Sequence, residues 1–236
     1  MNKSKVLVIL IVLAYIVFVV SQFRGDEFMA SSFGAVIYPI IAILYFVAIK
    51  KKTLFFSLFL VFYSLSELIL FIIDFMPYIY YYYIGNSLVV ISYIFLLIEI
   101  CQSVCVVHVF KNFKIHLVVL TGLNIYIAYI LQEVVNPYLE FTNEYILEMS
   151  YNIVMLLLLS LSLLNYLYKD NKKTLFLFIG TLCIVFSEVI NIAYLYVSQI
   201  NLLTVLSTSL FLLAFFFLYN QSKLDNDVEQ NFLIED

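Results

Sequence analysis

The sequence predicts an all-α fold: a polytopic membrane protein of eight transmembrane helices, built as a 4+4 tandem repeat with both termini cytoplasmic. Three observations carry that prediction. Of 236 residues, 65% are hydrophobic and 12% charged, with mean hydropathy +1.07. A soluble domain needs more polar surface than that. Apolar stretches near twenty residues recur along the chain, and at ~1.5 Å per residue each matches the ~30 Å hydrocarbon core of a bilayer. The cations, finally, fall almost entirely into alternate loops.

Spans are expected near 5–22, 31–49, 53–73, 79–101, 115–132, 148–168, 174–197 and 200–220. All should be helices, because a lipid-exposed backbone has to satisfy its hydrogen bonds within the segment. The first resembles a signal peptide, but its apolar run is too long and "VVSQFRGDE" offers no small-residue cleavage site, so it is read as a span. Lys3, Lys5, Lys50 to Lys52, Lys111, Lys114, Lys169, Lys172, Lys173 and Lys223 share one side. Arg24 is alone on the other, with the acidic loop "LQEVVNPYLEFTNE". Eleven of twelve basic residues on one face make that face cytoplasmic by the positive-inside rule. Both termini are then inside. The "YIYYYYIG" run that follows Pro77 reads as an aromatic belt at the opposite boundary. One transmembrane domain is expected over 1–222, in halves of about 1–110 and 111–222, followed by a short acidic cytoplasmic tail over 223–236. A multi-pass chain of this kind fits a bacterial inner membrane.

Composition also removes several functions. No basic, aromatic-interleaved patch points to nucleic acid. Cys101, Cys105 and Cys183 lack metal or redox spacing and read as small packing residues. No metal or other cofactor is implied. His108 and His116 flank the "KNFK" loop and are assigned to the interface, while Glu99, near the inner end of the fourth span, is assigned to structure.

What remains is a pair of carboxyls. "KKTLFFSLFLVFYSLSELI" from Lys51 aligns without gaps on "KKTLFLFIGTLCIVFSEVI" from Lys172, at an offset of 121, with eight of nineteen positions identical. The shared "KKT" and "SE" place Glu67 and Glu188 at equivalent points of spans three and seven. An offset of four spans preserves direction and implies a pseudo-two-fold along the membrane normal. Fourteen residues from Thr53 to Glu67, and again from Thr174 to Glu188, rise about 21 Å, past the midplane. Thr181, Glu188, Asn191 and Ser198 fall near one helical face, as do Ser57, Ser64, Glu67 and Asp74, and these stripes should face the bundle interior. An acid near the centre of a span costs roughly 2.5–3.5 kcal/mol on insertion scales and is usually functional. Two such acids can share protons, one acting as acid and the other as base. The competing reading makes each a hydrogen-bonding link between helices.

Eight spans, an acid in span three and a Gly-x6-Ser-acid motif in span seven (Gly180, Ser187, Glu188) resemble the YhhN-like lysoplasmalogenase family. The resemblance covers nearly the whole chain in architecture and rests on spans three and seven in motif. Both family Asp positions are Glu here, Tyr38-Pro39 stands where the family tends to have Lys-Pro, and the family's span-four His falls near Ser92-Tyr93. The Tyr-Tyr and Gln of the family's last span meet "SLFLLAFFF". The resemblance implies hydrolysis of the vinyl ether of a lysoplasmalogen, with a membrane lipid or lysolipid as partner. Glu67 and Glu188 would be the catalytic acid/base pair, and Tyr38, Ser64, Ser66, Tyr93, Ser187 and Asn191 would bind substrate. A non-catalytic lipid-binding or sensory protein and, behind it, a proton-coupled carrier are the alternatives. Only 5 Gly and 3 Pro leave few interrupted helices for a carrier.

Overall fold

The computed structural model describes residues 3–75, 77–103, 112–139 and 141–224; Cys105, His108, Lys111, the side chain of Asp74 and the tail beyond residue 224 lie outside the described residues. The described chain is helical. The helices are α1 (Lys3–Arg24), α2 (Glu27–Ala48), α3 (Leu54–Leu68), α4 (Tyr78–Ser103), α5 (Lys114–Val135), α6 (Thr142–Lys169), α7 (Lys172–Tyr196) and α8 (Asn201–Lys223). Among the described residues, eight segments are long and apolar enough to cross a membrane. Their outward faces carry large exposed apolar side chains, among them Val12, Ile16, Val118, Phe186 and Phe216. Such a surface is satisfied by lipid rather than water, and the chain is an integral multi-pass membrane protein.

Local chemistry sets the helix ends. Gly25 turns the chain at φ 76°, where a Cβ would be strained, and Asp26 then caps α2 by accepting the Met29 N–H at 3.1 Å. Asp170 ends α6 in the left-handed region (φ 44°), and Asn171 caps α7 by accepting the Thr174 N–H at 2.9 Å. The sequence reading starts the sixth span at 148, but α6 starts at Thr142. Glu144 explains the difference, because its carboxylate accepts the Phe141 N–H at 3.2 Å and negative charge suits a first helical turn. After Leu68 the third segment tightens into a 3₁₀-helix, Ile69–Phe75. Runs beyond three or four residues in that form are uncommon. It begins two residues after Glu67.

Within each half, consecutive helices pack together, α1 to α4 and α5 to α8. The halves meet mainly through α4 against α6, and α8 also touches α1 and α2. Rings fill the centre: Tyr63 stacks on Phe211 (centroids 4.6 Å) and Phe59 on Phe215 (5.9 Å). Short turns make neighbouring helices alternate in direction, which collects Lys50 to Lys52 with Lys169, Lys172 and Lys173 at one end of the bundle.

Gly180 allows α7 and α8 to approach. A Cβ there would lie 2.9 Å from Leu218 Cγ and 3.3 Å from the Ala214 carbonyl, whereas a Cβ at Gly122 would meet nothing within 4 Å. Gly180→Val should therefore lower stability by about 1–3 kcal/mol in denaturant titration of detergent-solubilised protein. Gly122→Ala should leave the midpoint unchanged or raise it, since Ala is the better helix former.

Candidate functional site

A cavity of about 240 Å³, partly open to the surface, lies where α1, α2, α3, α7 and α8 converge. Its walls use the start of α2 (Ala30, Ser31), the end of the third segment (Glu67, Leu70), the last turns of α7 (Glu188, Asn191) and the start of α8 (Thr204). Those positions put it at the end of the bundle away from the lysine-bearing turns. Room for it comes from α2, which presents Ala30, Ser31, Gly34 and Ala35 to the cavity. Pro39 cannot donate a backbone hydrogen bond, so the Ala35 carbonyl on this wall lacks its α-helical donor.

Both carboxyls line this one space, and the charge of Glu188 acts on Glu67. Their surroundings differ. Glu188 is 7% exposed and accepts a hydrogen bond from the hydroxyl of Tyr93, which is fully buried on α4. Tyr151 on α6 lies nearby, its ring 5.9 Å from that of Tyr93, and feels the charge of Glu188. Glu67 is half-buried and lines the same wall as Tyr63, one turn earlier on α3. Tyr38 stands between the helices near both acids, with its ring edge-on to Tyr63 (5.2 Å) and Phe211 (5.4 Å). The arrangement offers a substrate two oxygen acids, several hydroxyls and aromatic walls, and among the described residues no Lys, Arg or His lines it.

Compared with family models, with curated proteins and with solved structures, the chain finds no match.

Of the residues selected from sequence, Glu67, Glu188, Tyr38, Ser187 and Asn191 line the cavity. Ser187 also donates to the Ser207 carbonyl of α8 at 2.7 Å, which fixes the wall on either side of it. Tyr93 stands behind Glu188 rather than on the cavity surface. Ser64 and Ser66 do not join the site: their hydroxyls donate to the Leu60 carbonyl (2.7 Å) and the Tyr63 carbonyl (2.6 Å) of their own helix. A hydroxyl in an apolar helix finds a backbone acceptor a turn away before it finds a neighbour. Thr181, from the same predicted stripe as Glu188, is buried and pairs with Ser162 at 2.5 Å. Glu99 lies close to Thr53 and the Phe56 backbone and feels the charge of Lys173. It places negative charge at the N-terminus of α3. His116 is exposed beside Phe113, and Cys101 and Cys183 are free thiols.

Sequence reasoning missed Tyr63, Tyr151 and the α8 hydroxyls of Thr204, Ser207 and Thr208. Tyr63 had a signal in its spacing of four from Glu67, and the α8 group in a run of hydroxyl residues inside an apolar span. Tyr151 had none, because only tertiary packing brings α6 to α7. Tyr82, assigned to an aromatic belt, donates its hydroxyl to Glu148 Oε1 at 2.6 Å.

The cavity predicts a contrast in accessibility. Asn191→Cys should react with a small water-soluble maleimide in intact membranes. Ser64→Cys, behind the ring layer and 8% exposed in the parent residue, should stay unlabelled. An unreactive Asn191→Cys would mean the cavity is not open.

Proposed function

We propose that the protein is a lipid hydrolase of the YhhN-like type, cleaving the vinyl-ether bond of a lysoplasmalogen with Glu67 and Glu188 as its acid/base pair. The observation that carries this reading is the convergence of both intramembrane carboxyls on one partly open cavity. Carboxyls used only to link helices have no reason to meet there.

In the proposed reaction one protonated glutamate gives its proton to the double-bond carbon distal to the ether oxygen, leaving an oxocarbenium ion. The other, ionised, stabilises that cation and takes a proton from the water that attacks it. The resulting hemiacetal collapses to a fatty aldehyde and a glycerophospho-alcohol. Glu188, which accepts the Tyr93 hydroxyl, is read as the carboxylate and Glu67 as the acid. The two places where the resembled family carries cations are held by phenols, Tyr38 and Tyr93, and both approach a carboxyl. Hydrogen-bond donation is retained there without the positive charge.

The finer architecture belongs to the same reading: a four-plus-four repeat, both termini cytoplasmic, in a bacterial inner membrane. Equal neighbour order in the two halves supports the repeat. The lysine distribution supports the orientation. A carrier fits less well, because Phe59, Tyr63, Phe211 and Phe215 stack beneath the cavity and close it toward the lysine-bearing end.

Purified protein should release fatty aldehyde from at least one member of a lysoplasmalogen panel. Glu67→Gln and Glu188→Gln should each reduce release by about 10²–10⁴-fold, the usual contribution of a general acid or base. Folded wild-type protein inactive across the panel would move the assignment to lipid binding without catalysis.

A further inference from the structure

A cavity of about 240 Å³ is too small for a long hydrocarbon chain, and one of its walls is built differently from the others. α2 packs against α1 and α3, and α7 packs closely along α8, but α1 and α8 touch lightly. Two side-chain hydrogen bonds join them. The Tyr15 hydroxyl pairs with Ser209 Oγ at 2.6 Å, and Gln22 Nε2 donates to Asn201 Oδ1 at 3.1 Å. Ser209 gives its own proton to the Val205 carbonyl at 2.5 Å, so Tyr15 is the donor of the first bond. Tyr15, Phe18 and Gln22 share a face of α1, and Asn201, Val205 and Ser209 share a face of α8. The two bonds therefore mark the ends of a seam about 10 Å long. From Ile16 to Val20 α1 offers only apolar side chains, and the Thr204 hydroxyl of α8, on the same cavity wall as Phe18, is buried with no hydrogen-bond partner. Counted from the lysine-bearing end, Tyr15 lies about 18 Å along α1, Phe18 about 22 Å and Gln22 about 28 Å, while Glu67 and Glu188 lie about 21 Å along their own helices. The seam brackets the carboxyls in depth, and the Phe18 ring, 3% exposed, stands at their level.

We propose that the seam between α1 and α8 is the subsite for the ligand's hydrocarbon chain, which displaces the Phe18 ring as it passes from the cavity into the bilayer. This deepens the hydrolase reading and rests on it for the ligand, a lysolipid with one unbranched chain. Hydrogen bonds between membrane helices contribute little net stability, because the separated groups find other partners. α1 and α8 can part by giving up two of them. Parting α7 from α8 would instead undo the close packing at Gly180, where Leu218 and the Ala214 carbonyl fill the space beside the backbone. Phe18 has room to yield: the cavity wall behind it on α2 is Ala30, Gly34 and Ala35, and even a Cβ added at Gly34 would lie 3.5 Å from the ring. A chain in the seam exchanges contact with lipid for contact with Phe18 and its apolar neighbours, and outside it meets exposed Ile16 on α1 and Leu206 on α8.

The test uses the full chain in liposomes, irradiated with a trace of a saturated 1-O-alkyl lysophosphatidylethanolamine that carries a diazirine midway along its chain. This probe has no vinyl bond, so the readout does not depend on turnover. Adducts are mapped by peptide mass spectrometry, and those suppressed by excess unlabelled lipid mark the saturable site. They should concentrate on residues 15–22 of α1 and 201–209 of α8. Val205→Trp, which fills the seam, should abolish them, and Val118→Trp, on the exposed face of α5, should leave them unchanged. Melting temperatures show whether each variant is folded, and the wild-type map decides the matter without them. Suppressible adducts on other helices instead, or none anywhere, overturn the subsite. Aldehyde release from a lysoplasmalogen is scored separately on the same preparation. Release without seam adducts removes the subsite and leaves the hydrolase; seam adducts without release keep the subsite for a lipid that is bound and not cleaved.

Discussion

The hydrogen bond from Tyr93 to Glu188 ties the rest of the structure together. A carboxyl buried in an apolar bundle is expensive unless donors meet it. The donor comes from α4, so Glu188 on α7, in the second half, draws a helix of the first half to itself. That requirement coincides with the contact of α4 against α6, the main meeting of the two halves. Polar satisfaction and assembly of the bundle are thus the same constraint. Glu67 depends on it indirectly: its neighbour on the cavity wall, Tyr63, packs between Tyr38, Tyr93 and Phe211. Moving Tyr93 would disturb both acids.

The helices were readable from sequence because their cause is local. Length, hydropathy and a lipid-exposed backbone fix them one at a time, and the predicted spans lie within a few residues of those observed. The start of α6 departs most, since acidic residues that argue against a span by hydropathy also favour a first helical turn. The pair of acids was readable too, because Glu67 and Glu188 sit in matching sequence windows. Their surroundings were not. Ser64 and Ser66 share the polar stripe of Glu67 yet bond within their own helix, whereas Tyr151 and Glu148 lie in a different span with no shared motif. Periodicity reports which face a residue is on; it does not report which helix that face meets.

The lack of a basic residue around the cavity bears on how a lipid would sit. A phosphate inside would face two carboxyls with no compensating cation, an arrangement Coulomb's law penalises heavily in a low dielectric. The phosphate should therefore remain at the cavity mouth or beyond, where Arg24 ends α1 at the same end of the bundle. About 240 Å³ is the share of roughly eight liquid waters, too little for a long acyl chain as well. What fits is the segment between the two.

Depth leads to the same segment. The carboxyls sit about 21 Å along their helices from the lysine-bearing turns, which leaves about 9 Å of a ~30 Å core beyond them. In a lysoplasmalogen the vinyl ether joins the glycerol to the alkenyl chain, at the boundary of polar and apolar parts. On the proposed hydrolase reading, a lipid entering from the far leaflet with its phosphate at the surface would bring that bond down only a short way, to where the acids stand. Its chain can then leave between helices into the surrounding lipid, in contact with outward apolar faces. The ring layer of Phe59, Phe211 and Phe215 keeps the polar segment from going deeper. Placing two acids past the midplane, at a cost in insertion energy, is intelligible if the bond to be broken lies at that depth, and has no comparable rationale if they only join helices.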